Sequence, residues 1–114
     1  MNLETKTANM EGFVMKQIIN GKMYNTETAT EIATRSNGCT GWEYLEETLY
    51  RKKNGEFFLC GSGGPMTEYV VQCGDNSYTG STIIKPFSIS EAQKWTEEYA
   101  SADTYIEFFG DVEE

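Results

Sequence analysis

The chain has 114 residues, with 18 Asp and Glu against 9 Lys and Arg, no His, and a net charge of −9. That length fits one small domain, and a hydrophobic content of 39% is enough for a modest core, which argues against a wholly disordered chain. The missing His removes the commonest metal ligand and general base, and the acidity argues against gripping nucleic acid through its phosphates, so a binding protein is expected rather than an enzyme.

Met1 to Glu11 is polar and aperiodic, and residues 1–15 read as a flexible N-terminal extension. No apolar run there makes a signal peptide, and none elsewhere approaches a membrane span, so a soluble, cytoplasmic protein is expected. Gln17 to Tyr24 reads as a β-hairpin whose Asn20-Gly21 turn sets Ile18 opposite Met23. Asn25 to Ala29 looks like a helix start, with Thr28 and Glu31 spaced as a capping box. The alternation of β-branched Thr30, Ile32 and Thr34 then favours a strand over 30–36, with helix as the alternative. Glu43 to Tyr50 and Glu56 to Gly61 form the clearest hairpin. A two-residue Asn54-Gly55 turn pairs Lys53 with Glu56 and Tyr50 with Leu59. One face then gathers Tyr44, Tyr50, Phe57 and Leu59, the other Leu45, Leu49, Phe58 and Cys60, and the hairpin should be covered on both sides.

Gly61 to Pro65 reads as a flexible crossing, Met66 to Gln72 as a strand or a helical turn, and Gly74 to Gly80 as a loop. Ser81 to Phe87 is a strand. Ser88 to Tyr99 is a helix capped by Ser88 and Glu91, with Ile89, Ala92, Trp95, Thr96 and Tyr99 on one face. Ser101 to Phe109 is a second helix, with Ala102, Tyr105, Ile106 and Phe109 on one face and Gly110 as its C-cap. The expected fold is α+β: a twisted antiparallel β-sheet of hairpins with two C-terminal helices packed on or beside it. Residues 16–110 would form one domain and 111–114 an acidic tail. Trp95, Tyr99, Tyr105, Ile106 and Phe109 should supply the helix side of the core.

The motifs for chemistry mostly fail. Cys39, Cys60 and Cys73 are an odd count with no CxxC pair, so free thiols are expected rather than disulfides or a zinc site. The Gly61–Gly64 loop has Pro65-Met66 where a phosphate-binding loop needs Lys-Ser. Glu46 and Glu47 are strand neighbours and point to opposite faces, so they cannot act as one acid/base pair; Glu47 would share a face with Leu45, Leu49 and Arg51 in a structural pairing. Asp75-Asn76 lacks the further acidic ligands of a calcium loop. No catalytic residue, metal or cofactor is expected. From Ser88 onward, however, Glu91, Glu97, Glu98, Asp103, Glu107, Asp111, Glu113 and Glu114 face only Lys94, which leaves −7 of the −9 there. A solvated face is the plain explanation. An electrostatic surface for a basic partner is the functional one, with Glu91, Glu97, Glu98, Asp103, Glu107 and Asp111 as candidate contacts.

Several segments carry a family likeness: Ile19 to Ala29, Glu47 to Leu59, Gly63-Gly64-Pro65-Met66, and Ile83-Ile84-Lys85-Pro86 leading to Glu91-Ala92-Gln93-Lys94-Trp95. On these, Lys16 to Gly110 is similar to a family of small acidic proteins carried by phages and other mobile elements of Gram-positive bacteria. Some of its members look like anti-CRISPR proteins, including Cas9 inhibitors. The resemblance implies a stoichiometric protein inhibitor in the bacterial cytoplasm. Its partner would be a defence effector with a basic nucleic-acid-binding groove, with no direct nucleic acid, membrane or cofactor. A small adaptor or antitoxin-like module is the alternative, followed by an enzyme acting on a nucleotide or guide RNA.

Overall fold

The computed structural model describes residues 15–114. Two short strands, β1 (Lys16–Ile19) and β2 (Lys22–Asn25), are followed by β3 (Thr30–Ser36), a 3-10 turn over Gly41–Glu43, β4 (Leu45–Arg51) and β5 (Phe57–Gly63). A small hairpin of β6 (Val71–Gly74) and β7 (Ser77–Thr79) leads into β8 (Ser81–Phe87), then helices α1 (Ile89–Tyr99) and α2 (Ala102–Phe109). The fold is α+β. Its centre is a four-stranded antiparallel sheet in the order β3-β4-β5-β8, with β1-β2 and β6-β7 as separate hairpins. The expected extension lies outside the described residues except for Met15. Its N–H donates to Thr26 Oγ1, its carbonyl accepts from Thr26 N–H, and its side chain packs against the core.

The sheet is covered on both faces, as its doubly apolar central strands require. On the front, α1 and α2 pack over Ile32, Leu49, Phe57 and Leu59, with Ala92 and Trp95 buried between. On the back, the β1-β2 hairpin lays Tyr24 against Phe58 and Ile84, with Tyr50 stacked on Phe58 at 5.1 Å. Ile18 pairs with Met23 as expected, on the solvent side of that hairpin.

Two Asn-Gly dipeptides make different turns, and one of them corrects the expected register. At Asn20-Gly21 both residues have positive φ (53° and 78°) and Ile19 pairs directly with Lys22, the two-residue type I′ connection. At Asn54-Gly55 only Gly55 has positive φ, and the loop closes through Gly55 N–H to Lys52 O (2.9 Å) and Lys52 N–H to Glu56 O (2.7 Å). This is a three-residue loop, a type I turn followed by a left-handed glycine. Lys52, not Lys53, therefore faces Glu56, and Tyr50 pairs with Phe58 rather than Leu59. One extra loop residue flips one strand relative to the other. The front face accordingly collects Leu45, Leu49, Phe57 and Leu59, and the back face Tyr50, Phe58 and Cys60.

Smaller corrections follow the same physics. Asn25 rather than Thr28 organises the turn before β3, its Oδ1 accepting from Glu27 N–H at 2.9 Å. A bulge in β3 between Glu31 and Ala33 sends both Ile32 and Ala33 to the helix side. The expected 74–80 loop is a hairpin with Asp75-Asn76 as its turn, and residues 65–69 are turns rather than one strand or helix.

Candidate functional site

The acidic surface is carried by two well-specified helices. Ser88 Oγ accepts from Glu91 N–H at 3.1 Å while Glu91 Oε1 accepts from Ser88 N–H at 2.7 Å, the reciprocal box expected for α1. Ser101 caps α2 and Gly110 ends it at φ 90°, its N–H donating to Ile106 O. Glu91, Glu97, Glu98, Asp103, Glu107 and Asp111 are all exposed. Asp103 and Glu107 stand one turn apart on the side of α2 away from Phe108 and Phe109. Glu91 differs from the others, because its carboxylate is engaged in the cap.

A buried polar cluster holds α1 to the sheet. Glu47 is 3% exposed, on the same face as Leu45 and Leu49 as expected, but its partner is Arg35 across the β3-β4 pair and not Arg51. Its Oε1 accepts from Arg35 Nε (2.9 Å) and Trp95 Nε1 (3.1 Å), and its Oε2 accepts from the Tyr69 hydroxyl. Burial pushes this carboxyl up, but the hydrogen bonds from Tyr69, Trp95 and Arg35 outweigh it and its pKa lies below the ordinary value. Burial first, and then the Glu47 carboxylate, push the Tyr69 phenol far above its usual range. Arg35 also stacks over the Tyr99 ring at 4.0 Å, so one carboxylate ties β3, β4, α1 and the 65–69 turns together. Tyr69 lies flat on the sheet because residue 61 is glycine: a Cβ there would collide with the tyrosine hydroxyl and ring. The glycine run expected as a flexible crossing is thus a platform for a buried ring, and Gly61 to Gly63 belong to β5.

Beside the acids lies an open, largely apolar groove of about 360 Å³, lined by Thr96, Glu97, Ala100, Ser101, Ala102, Tyr105, Ile106 and Val112. Tyr99 and Ile106, both expected in the core, are both exposed. Instead Phe108 takes that role with Phe109, and Ile106 is 42% exposed in the groove wall. Val112, from the expected acidic tail, lies in the groove wall as well. Sequence periodicity puts Ile106 on the apolar stripe, and only the packing angle of α2 decides which edge of that stripe meets the sheet.

A second exposed apolar group lies at the open end of the β4-β5 hairpin, just before β4 and just after β5. Trp42 is 72% exposed and Met66, whose N–H donates to Trp42 O at 2.9 Å, is 64% exposed. Nothing in the sequence pattern around the 3-10 turn marked Trp42. At the other end, Glu56 accepts from Lys22 (2.7 Å) and Lys52 (3.0 Å), and these hydrogen bonds hold its carboxyl down at about 2. Lys52, in the basic run Arg51-Lys52-Lys53 at this hairpin tip, is thereby paired. Among the described residues no group of His, Cys, Asp and Glu is placed to hold a metal ion, and no helix is long and apolar enough to cross a membrane. The three cysteines are free: Cys39 and Cys73 are exposed, while burial pushes the Cys60 thiol up to about 11. No family model, curated protein or solved structure matches the chain.

Proposed function

We propose that this protein is a stoichiometric binder that presents the acidic face of α1 and α2 to a basic nucleic-acid-binding groove on a partner protein. A Cas9-type effector is the partner class, on the family resemblance alone. Such an effector holds its guide duplex in a positively charged channel and reads its DNA recognition motif with arginines. Occupying either place with carboxylates excludes DNA and needs no catalytic group. The observation that supports the reading is the isolation of the charge. Glu97, Glu98, Asp103, Glu107 and Asp111 are exposed, and no Lys or Arg follows Lys94. A field of one sign steers association with a basic groove.

The test is a DNA-cleavage assay titrated with the protein across a panel of Cas effectors, together with association rates over a range of salt. Inhibition should be complete only at equimolar protein. Reversing Glu97, Asp103 and Glu107 to Lys should slow association about tenfold or more and flatten its salt dependence. Unchanged inhibition by that variant would sink the acidic-surface mechanism, and full inhibition at substoichiometric protein would point to an enzyme. A second reading, an adaptor docking through an apolar face, is favoured by the exposed Trp42–Met66 pair. It expects Trp42→Ala, and not the charge reversals, to abolish partner binding.

A further inference from the structure

The groove between α1 and α2 asks for an explanation of its own. Ala102 and Ile106 stand one turn apart on α2, Tyr105 adjoins them, and Ala100 and Val112 complete the lining. None of these residues belongs to either core cluster. Ile106 and Val112 are 42% and 57% exposed, so the folded domain leaves two β-branched aliphatic side chains facing water in one concavity. Scattered surface apolar residues are ordinary, but an apolar concavity rimmed by charge is the form of an interaction site.

Charge decides what fits it. Glu97 lies in the groove wall, and Asp103, Glu107, Asp111, Glu113 and Glu114 occur in the same cation-free stretch of chain. A second copy docked groove to groove would set these carboxylates against their own equivalents, a like-charge juxtaposition that disfavours pairing. A partner that brings cations around an apolar anchor meets both requirements. We propose that the groove seats a large apolar side chain of a basic, amphipathic helix on the partner protein, with Glu97, Asp103 and Glu107 facing that helix's Lys or Arg residues. This deepens the proposed function and rests on it for the identity of the partner. The recognition mode is a helix in a groove, in which apolar anchors supply affinity and flanking charges supply orientation.

The experiment uses the full chain, isotope-labelled, titrated with a short synthetic peptide carrying Leu and Lys at helical spacing. Two comparison peptides have Leu replaced by Ala, or Lys replaced by Glu. The Leu/Lys peptide should bind about tenfold or more tighter than the Leu-free one, as expected for one buried aliphatic side chain, and the Glu peptide should not bind. Amide shifts should concentrate at Ala102, Ile106 and Val112. Ile106→Asn should reduce Leu/Lys binding to the Leu-free level; because Ile106 is half exposed, its spectrum away from the groove should stay unchanged. Equal binding of the Leu/Lys and Leu-free peptides, no effect of Ile106→Asn, or shifts centred on Trp42 and Met66 would each overturn the proposal. Specific peptide binding without inhibition of any effector would keep the groove and refute the effector reading. Effector inhibition that survives Ile106→Asn intact would refute the groove and keep the effector reading.

Discussion

Replacing Glu47 by Ala should come close to unfolding the domain. The substitution removes the acceptor from Trp95 Nε1 and the Tyr69 hydroxyl, both buried, and from Arg35. Each buried donor left unpaired costs about 1–3 kcal/mol. Arg35 adds less than the ~3–5 kcal/mol of a fully buried broken pair, because its side chain is 24% exposed and can turn to water. The sum is about 3–7 kcal/mol, against a total of roughly 5–15 kcal/mol for a domain of this kind. At roughly 4–8 °C per kcal/mol the midpoint should fall by more than about 12 °C. The control is next door: Glu46 is exposed on the opposite face, and Glu46→Ala should stay within about 0.5 kcal/mol of the parent. The pH dependence follows from the direction of each shift. Glu47 has a lowered pKa, so its contribution is full above the unfolded-state value and is lost as pH falls through the folded one. Tyr69 has a raised pKa, so its contribution holds below the ordinary phenol value and is lost as pH rises through the folded one. Glu47→Gln should therefore flatten the acid limb of the stability profile. Thermal melts and urea curves across pH read all of this, and a Glu47→Ala midpoint equal to that of Glu46→Ala would show that the cluster does not hold α1.

Two other measurements probe the same architecture. Gly61→Ala drives a methyl group into Tyr69 and should cost about 1–3 kcal/mol by urea denaturation; an unchanged midpoint would mean that the ring is not seated on the strand. Native protein at neutral pH should alkylate rapidly at Cys39 and Cys73 and slowly at Cys60, the third adduct forming faster on unfolding, because burial pushes the Cys60 thiol up to about 11. Three adducts formed at one rate would contradict the burial of Cys60.

What was legible in the sequence was what local chemistry decides. The Ser88–Glu91 box, the Gly110 stop and the strand ended by Pro86-Phe87 are written within a few residues of themselves, and the helices and β8 follow. The register of β4 and β5 was not local. Asn-Gly serves two turn types, and the choice between them comes from burying Leu49 with Leu59 on one face and Tyr50 with Phe58 on the other. The β6-β7 hairpin escaped because its strands are short, exposed and without apolar alternation. Glu47 could be placed on its face by strand parity. Its partners at positions 35, 69 and 95 come from three separate elements that no spacing rule connects. Glu91, Glu98, Asp103 and Glu107 were readable as exposed because they avoid the apolar stripe. The groove was not, since Ile106 sits on that stripe and only the packing of α2 through Phe108 and Phe109 leaves it outside the core.

The folded structure also changes what the net charge means. Among the described residues the ion pairs join Arg35 to Glu47, Lys85 to Glu68, and Lys22 and Lys52 to Glu56, so the cations serve acids of the sheet and its loops. Among the described residues none of these ion pairs includes a helical acid, and three of the helical acids occupy positions the helices themselves disfavour. Glu97 and Glu98 lie in the last turn of α1 and Glu107 in the last turn of α2, and neither turn contains a basic residue. A negative charge there meets the negative end of the helix dipole, at a cost of about 0.3–1 kcal/mol each, and Glu107 also repels Asp103 one turn away. Acids kept for the fold alone would sit in first turns, as Glu91 and Asp103 do. The double variant Glu97→Gln, Glu107→Gln should therefore be more stable than the parent by roughly 0.5–1.5 kcal/mol at low salt. The gain should fade as salt is added, and partner binding should be weaker. A double variant less stable than the parent would show that these carboxylates support the helices after all, and would remove the electrostatic case for a binding surface.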